Sequence, residues 1–293
     1  MNRPAPVLIG LTSIRGRERA LERTLDSLLA QTLPADGRPV ELHLFLSRQS
    51  YLLDRGFPRL PPGLKRRLIR SRLRPGLRLT LRWVANTGPY RKLLPLIEGL
   101  SAEQRACDPW LITADDDTLY PRDWLIRLLA AQERHDCVVA FRGRLMAVAE
   151  GAILPYRGWQ VAGPELLEPS LLTVPTGKDG ICYRLSQLDS RVLDHGTALR
   201  IAGHADDLWF KVHTLLTATP AVLLHDSLAL EFPELDGQGR PVGRATGRRH
   251  HTPTLYLSVN KHGGNDAVLR RCLAYAAEQA GADVPLALLT PWP

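Results

Sequence analysis

The sequence predicts an α/β protein built on an open, mostly parallel sheet with helices on both faces and an irregular, β-rich second half. Two observations carry that expectation. Short apolar runs of strand length, VLIGLT at 7–12, VELHLFL at 40–46 and WLITA at 110–114, recur through the first half. Between them lie segments whose apolar residues fall at helical spacing, such as Ala20, Leu21, Leu25, Leu28 and Leu29. Parallel strands need long crossovers, usually helices, and helices on both faces leave the strands as continuous apolar runs.

In order along the chain, residues 7–12 read as a buried strand and 17–31 as an amphipathic helix ended by Pro34. Strand 40–46 follows, then a short basic helix over 64–73 and an alternating strand over 77–84. A helix over 92–100, the buried strand 110–114 and a helix over 122–133 complete the first half. From 137 to 183 the pieces CVVAF, LLTV and GICY are broken by Pro155, Pro164, Pro169 and Pro175. Helix returns at 205–216, a strand at 221–225 and an amphipathic helix at 266–279, while the Gly-, Pro-, Arg- and His-rich stretch 233–254 reads as a mobile loop. At roughly 150 residues per domain, 293 residues allow one large domain or two small ones. With no linker in sight, a single domain over 1–293 is the expectation.

Composition sets outer bounds. At 44% hydrophobic and 23% charged, the chain is no disordered tail. Its net charge of +8 favours an anionic partner without naming one. Cys107, Cys137, Cys182 and Cys272 lie far apart with no CxxC pair, so free thiols in a reducing compartment are expected. The apolar run at 7–11 is too short for a signal peptide, and nothing approaches a membrane span, so a cytoplasmic location is expected.

The sharpest chemical signal is Asp115-Asp116-Asp117, directly after the strand WLITA. Ligands of open α/β sheets collect at the carboxyl ends of strands, and three adjacent carboxylates repel unless solvated or bound to a cation. All-oxygen ligands suit Mg²⁺ or Mn²⁺, which keep waters and substrate phosphates in their shell. The plain alternative is an acidic helix cap, for which one aspartate suffices. Asp206 and Asp207 open an apolar helical segment, where they fit either an N-cap or a catalytic base. No HExxH or Cys/His cluster suggests zinc.

Five blocks occur in order: Thr12-Ser13; Asn86-Thr87-Gly88-Pro89-Tyr90-Arg91-Lys92-Leu93; Ala114 to Leu125 with its DDD, YP and DWL; Pro175 to Tyr183; and Ala205-Asp206-Asp207-Leu208-Trp209. The chain thereby resembles the family-2-like glycosyltransferases of the GT-A, Rossmann-like fold, over roughly residues 7 to 225, with Gly263-Gly264-Asn265-Asp266 as a further likeness. That resemblance implies a nucleotide-binding half over 1–125, an acceptor-binding half over 126–293, and inverting transfer of a sugar from a nucleotide-sugar donor to a hydroxyl. It implies that Asp115 and Asp117 meet ribose and the metal-bound diphosphate, with Asp116 between them. Thr12, Arg15 and Lys92 would line the nucleotide pocket, and Gly177 and Gly180 would bring backbone close to sugar or acceptor. Asp206, with Asp207 only slightly behind it, would be the base, and a late histidine, His251 beside His250, would join Asp115 and Asp117 on Mn²⁺ or Mg²⁺. The donor expected is a UDP-sugar, the commonest choice, although Leu46-Ser47-Arg48 stands where many relatives carry an acidic residue that reads the nucleotide. The acceptor expected is a glycan or lipid-linked glycan of a bacterial surface polysaccharide. Two rivals remain: a sugar nucleotidyltransferase, which would want more glycines than Thr12 to Arg17 holds, and a non-catalytic module for anionic glycans.

The stretch from Arg55 to Arg82 carries ten basic residues and no acidic one. Its plain reading is a solvated helix face plus the polar side of a strand; its functional reading is contact with an anionic membrane, at the inner face, or with a polyanionic acceptor. Nucleic acid is not expected, as no aromatic interleaving accompanies the charge.

Overall fold

The computed structural model describes residues 4–150, 152–228, 232–242 and 264–279. They form two compact units, one of residues 4–130 with 232–242, the other of residues from 131 to 228 with 264–279. The fold is mixed α/β, with four sheet strands in the first unit and three in the second.

The first unit is a parallel sheet of β1 (Val7–Thr12), β2 (Val40–Leu46), β3 (Leu77–Trp83) and β4 (Trp110–Ala114), in the order β4-β1-β2-β3. Val7 lies opposite both Val40 and Trp110, so β1 is central and its first five residues are buried. Helix α1 (Glu18–Leu29) connects β1 to β2 and buries Ala20, Leu21, Thr24, Leu25 and Leu28. It stops before the predicted end because Gln31 turns inward. There its side chain donates to Pro121 O at 2.7 Å and accepts from Leu125 N at 3.0 Å. Helix α2 (Pro62–Ser71) connects β2 to β3 and packs on β3.

The helix expected over 92–100 is shorter, α3 (Leu94–Glu98), and follows a 3-10 turn over Gly88–Lys92. Pro95 explains this: its ring and missing N–H are tolerated only in the first helical turn, so the helix cannot begin much earlier. The turn lies hard against β1, where a Cβ on Gly10 would stand 1.8 Å from the Lys92 carbonyl oxygen. Helix α4 (Ala102–Ala106), unread in the sequence, is one turn closed by a Ser101–Gln104 capping box. Helix α5 (Trp124–His135) follows β4 and the aspartate loop. Within the stretch expected to be a mobile loop, Glu234–Leu235 and Pro241–Val242 instead form a two-stranded ribbon. Asp236 closes its turn, accepting from the N–H groups of Gln238 and Arg240 at 2.9 Å.

The second unit holds β5 (Val138–Ala140), paired with β10 (Ile181–Arg184) antiparallel and with β11 (Ala221–Leu223) parallel. Between β5 and β10 lie the short ribbons β6 (Gly143–Leu145) with β9 (Thr173–Pro175) and β7 (Val148–Ala149) with β8 (Ala152–Ile153). Helix α6 (His195–Ile201), too short to show a period, is started by Asp194, which accepts from Thr197 N at 3.0 Å. Helix α7 (Asp206–Leu215) is buried on nearly every side and packs on α8 (Gly264–Gln279), with Trp209 and Tyr275 rings 5.1 Å apart. Asp266 near the start of α8 accepts from Tyr156 N at 2.7 Å. All four cysteines are free, three of them buried.

Candidate active site

In the first unit the carboxyl ends of β1 and β4 gather the aspartate loop and the segment 12–17. The loop is fixed through its backbone. Asp115 N donates to the Tyr120 hydroxyl at 2.8 Å, the Thr24 hydroxyl donates to Asp116 O at 3.0 Å, and Leu235 N donates to Asp117 O at 2.7 Å. With the main chain held, the three carboxylates differ. Asp116 is turned inward, where it accepts from the Ser13 hydroxyl and, at 3.0 Å, from Arg17 Nη1. The same Arg17 nitrogen reaches Asp117 Oδ2 at 3.1 Å. Asp115, the most open of the three, has Lys92 Nζ at 3.7 Å.

The electrostatics follow from burial. Burial raises the Asp116 carboxyl above the ordinary range even though Arg17 pulls it down. Burial also works against the Arg17 charge, but Asp116 and Asp117 outweigh it and hold the guanidinium firmly protonated. Behind this cluster lies a second buried pair. Asp54 accepts from Arg91 Nη2 at 2.9 Å, from Asn86 at 3.0 Å and from Gly56 N at 2.9 Å. Burial lowers Arg91 below its usual value, with Asp54 opposing. Asp54 thus stands past Leu46-Ser47-Arg48 as the acidic residue after β2, and its carboxylate is spent on structure.

The other expected residues of this unit divide. Lys92 is buried and meets Asp115 as described. The Thr12 hydroxyl donates to Phe45 O at 2.9 Å and so braces β1 on β2. Arg15 has an exposed side chain, and its backbone N donates to Asp54 at 3.2 Å. Arg17, Ser13, Asp54 and Arg91 were not singled out by sequence reasoning. Ser13 and Arg91 had a signal in retrospect, since each stands in one of the five blocks, whereas Arg17 only ends the segment weighed as a phosphate loop.

In the second unit Asp206 and Asp207 occupy the first turn of α7, and the N-cap itself is Ala205 with no side-chain bond. Neither aspartate is therefore the cap. Asp206 is buried, while Asp207 is half-buried and accepts from Gly177 N through both oxygens at 3.1 Å. Gly177 opens a tight turn closed by Gly180 N donating to Gly177 O at 3.3 Å, in which Asp179 has a φ of +70° and Gly180 one of +108°. Asp179 faces Arg142 at 3.9 Å. Further along α7, Lys211 is buried with no hydrogen-bond partner for Nζ, and burial lowers it to about 7. Burial likewise lowers His213 to about 4, against the pull of Asp189. His250 and His251 lie outside the described residues.

Among the described residues, no three His, Cys, Asp or Glu side chains surround one point. Asp115 and Asp117 nonetheless offer the hard oxygens Mg²⁺ or Mn²⁺ takes when one or two carboxylates share it with waters and phosphates. They fit; Asp116, engaged by Ser13 and Arg17, is the member that does not.

No protein-family model and no curated protein sequence matches the chain. Solved structures do. TarS 1–349 of S. aureus in complex with UDP aligns over 96% of this chain and 68% of that one, at 13% identity and a TM-score of 0.50. The same fragment with UDP-GlcNAc aligns over 94% and 66%, at 14% identity and a TM-score of 0.47. The mannosyltransferase PcManGT from Pyrobaculum calidifontis, in complex with GDP-Man and Mn²⁺, aligns over 96% and 77%, at 15% identity and a TM-score of 0.45. This chain spans 58% to 68% of the TarS 1–349 chains it matches. The fold is the GT-A-like mixed α/β fold of glycosyltransferases, and at such identity the likeness extends to the fold.

Proposed function

We propose that this chain is a glycosyltransferase that moves a sugar from a nucleotide-sugar donor to a hydroxyl acceptor with inversion. The observation that carries the reading is the cluster at the carboxyl ends of β1 and β4. There Asp115, Asp116 and Asp117 are held on a fixed backbone with Arg17 and Lys92 as countercharges. Such a site suits an anionic diphosphate carrying a cation, because Arg17 and Lys92 supply positive charge and Asp115 and Asp117 supply hard carboxylate oxygens. Arg15 and Thr12 flank the nucleotide. A bound Mg²⁺ or Mn²⁺, held by Asp115 and Asp117 with His251 as third protein ligand, would stabilise charge on the departing diphosphate.

The base comes from the acidic pair that opens α7. Asp207 is the better candidate, since Gly177 N–H aims its carboxylate and leaves it half-exposed, whereas Asp206 is buried. It takes the proton of the acceptor hydroxyl as the oxygen attacks the anomeric carbon and the carbon–phosphate oxygen bond breaks. Gly177 and Gly180 let backbone lie close to the sugar or acceptor. The donor is a UDP-sugar, and the acceptor a glycan or lipid-linked glycan of a bacterial surface polysaccharide.

A panel of nucleotide diphosphates and nucleotide sugars, with and without Mn²⁺, tests this by thermal shift and turnover. A ligand at a hundredfold its Kd adds about 2.7 kcal/mol, which raises the melting point visibly. The expected result is a shift with one nucleotide sugar that the metal enlarges. Asp207→Asn is expected to keep that shift and lose roughly 10²–10⁴-fold in turnover. No shift with any donor would leave the non-catalytic module; formation of nucleotide sugar from a sugar phosphate would leave the nucleotidyltransferase.

A further inference from the structure

The basic stretch of the first unit acquires a direction once α2 is folded. Leu64 and Ser71 are buried, and Arg67 bends back to pair with Asp26 at 2.5 Å and Glu22 at 3.1 Å. At 3.6 residues per turn, the side of the helix opposite Leu64 carries Lys65, Arg66, Ile69, Arg70 and, in the turn just beyond, Leu73. All five are exposed. Ile69 is 54% exposed and Leu73 79%, the highest exposure of any large apolar side chain among the described residues. No ion pair among the described residues engages Lys65, Arg66, Arg70 or Arg72. Two branched aliphatic side chains therefore stand in water at the centre of an uncompensated basic face.

A concavity of about 500 Å³ past the end of α2 is lined by Ser71, Arg72, Arg74, Gly76 and Arg78 with the start of β2, and Glu41 is its acid. Arg72 and Arg74 are the sequence neighbours of Leu73 on either side. Arg74 is half-buried; its Nη2 donates to Gln31 O, while its buried Nη1 has no hydrogen-bond partner. Burial and then the charge of Arg122 disfavour its charged form, a disadvantage that an arriving anion would relieve.

We propose that this face of α2, with the turn that follows it, docks the protein onto an anionic lipid bilayer. Ile69 and Leu73 enter the boundary between headgroups and acyl chains, where an interfacial helix buries its apolar side. Lys65, Arg66 and Arg70 spread over the lipid phosphates with their aliphatic stems beside the apolar pair. A soluble polyanion would reward the arginines but give no use to Ile69 and Leu73, and a protein partner would be expected to present acids matched to this face. A bilayer of anionic lipid uses both features at once. The surface is independent of the donor chemistry proposed above, and its test does not depend on turnover.

The full chain is to be floated with vesicles of phosphatidylcholine alone and with about one-third phosphatidylglycerol, at low and high salt. Binding is expected only to the anionic vesicles and to fall with salt. Arg66→Glu with Arg70→Glu should lower partitioning by at least about tenfold, given the worth of each basic residue near such a surface. Ile69→Ser with Leu73→Ser should lower it measurably with every charge kept. Both pairs are exposed, and an unchanged melting point together with an unchanged nucleotide-sugar shift shows that folding and donor binding are intact. Partitioning unaltered by either double variant overturns the proposal. So does equal loss of a soluble oligonucleotide from the arginine variant with no vesicle binding by the parent, or self-association abolished by the serine pair.

Discussion

Arg17 is the residue whose charge the site depends on most. It lies 99 and 100 residues from its partners, Asp116 and Asp117, and its removal would leave Asp116 buried beside a like charge. Breaking a buried pair from one side typically costs about 3–5 kcal/mol, because the surviving ion is uncompensated. Arg17→Gln is therefore expected to lower stability by roughly 3 kcal/mol in urea unfolding. Adding Asp116→Asn should restore part of that loss, since the orphaned charge is then gone. Equal stabilities for the parent and Arg17→Gln would show that the pair contributes nothing. The same residue shows why the site was half legible. Three adjacent aspartates after an apolar strand announce themselves in one line of sequence, whereas nothing local says that an arginine at 17 will answer an aspartate at 116.

At the scale of elements, the contact that places Lys92 is between β1 and the turn over Gly88–Lys92. A side chain at position 10 is excluded because its Cβ would fall 1.8 Å from the Lys92 carbonyl oxygen, a backbone atom that cannot swing away. Gly10→Ala should push the turn outward, cost about 1–3 kcal/mol, as overpacking does, and weaken donor binding by displacing Lys92 from Asp115. Calorimetry with the donor identified by the thermal-shift panel checks it; a full-affinity, fully stable variant would mean the turn yields freely. Long elements were readable because helices bury residues at helical spacing and covered strands bury continuous runs: β1, β2 and β4 match the apolar runs residue for residue. The failures were short or proline-bounded. α4 and α6 are five and seven residues long, less than two full turns, so their starts are marked by Ser101 and Asp194 rather than by any period. The stretch 233–254 looked mobile from composition, yet its described part is a ribbon because Asp236 and the aspartate loop satisfy its backbone.

For the molecule as a whole, two buried bases on α7 tie stability to pH. Lys211 falls from 10.5 when exposed to about 7 in the fold, so the unfolded chain binds the extra proton between those values and stability rises with pH across that window. His213 falls from 6.5 to about 4, so stability is lost as pH drops through that range. The protein should therefore melt lower at pH 5 than at pH 8, by both groups acting in one direction. Lys211→Met, similar in length and uncharged, is expected to raise the melting temperature at pH 7, by roughly 2–4 °C for each kcal/mol recovered. That gain should shrink toward pH 10, and a gain independent of pH would rule out the buried ammonium as its source. By itself, the sequence determined the α/β class, the principal strands and helices, and the two acidic motifs, because periodic burial and strand-end carboxylates are local patterns. Tertiary structure alone decided which aspartate is engaged, that Ala205 and not an aspartate caps α7, that Asp54 is spent on Arg91, and that Ile69 and Leu73 face water. Each of these depends on what the fold brings against a residue from far along the chain, and no local pattern encodes that neighbour.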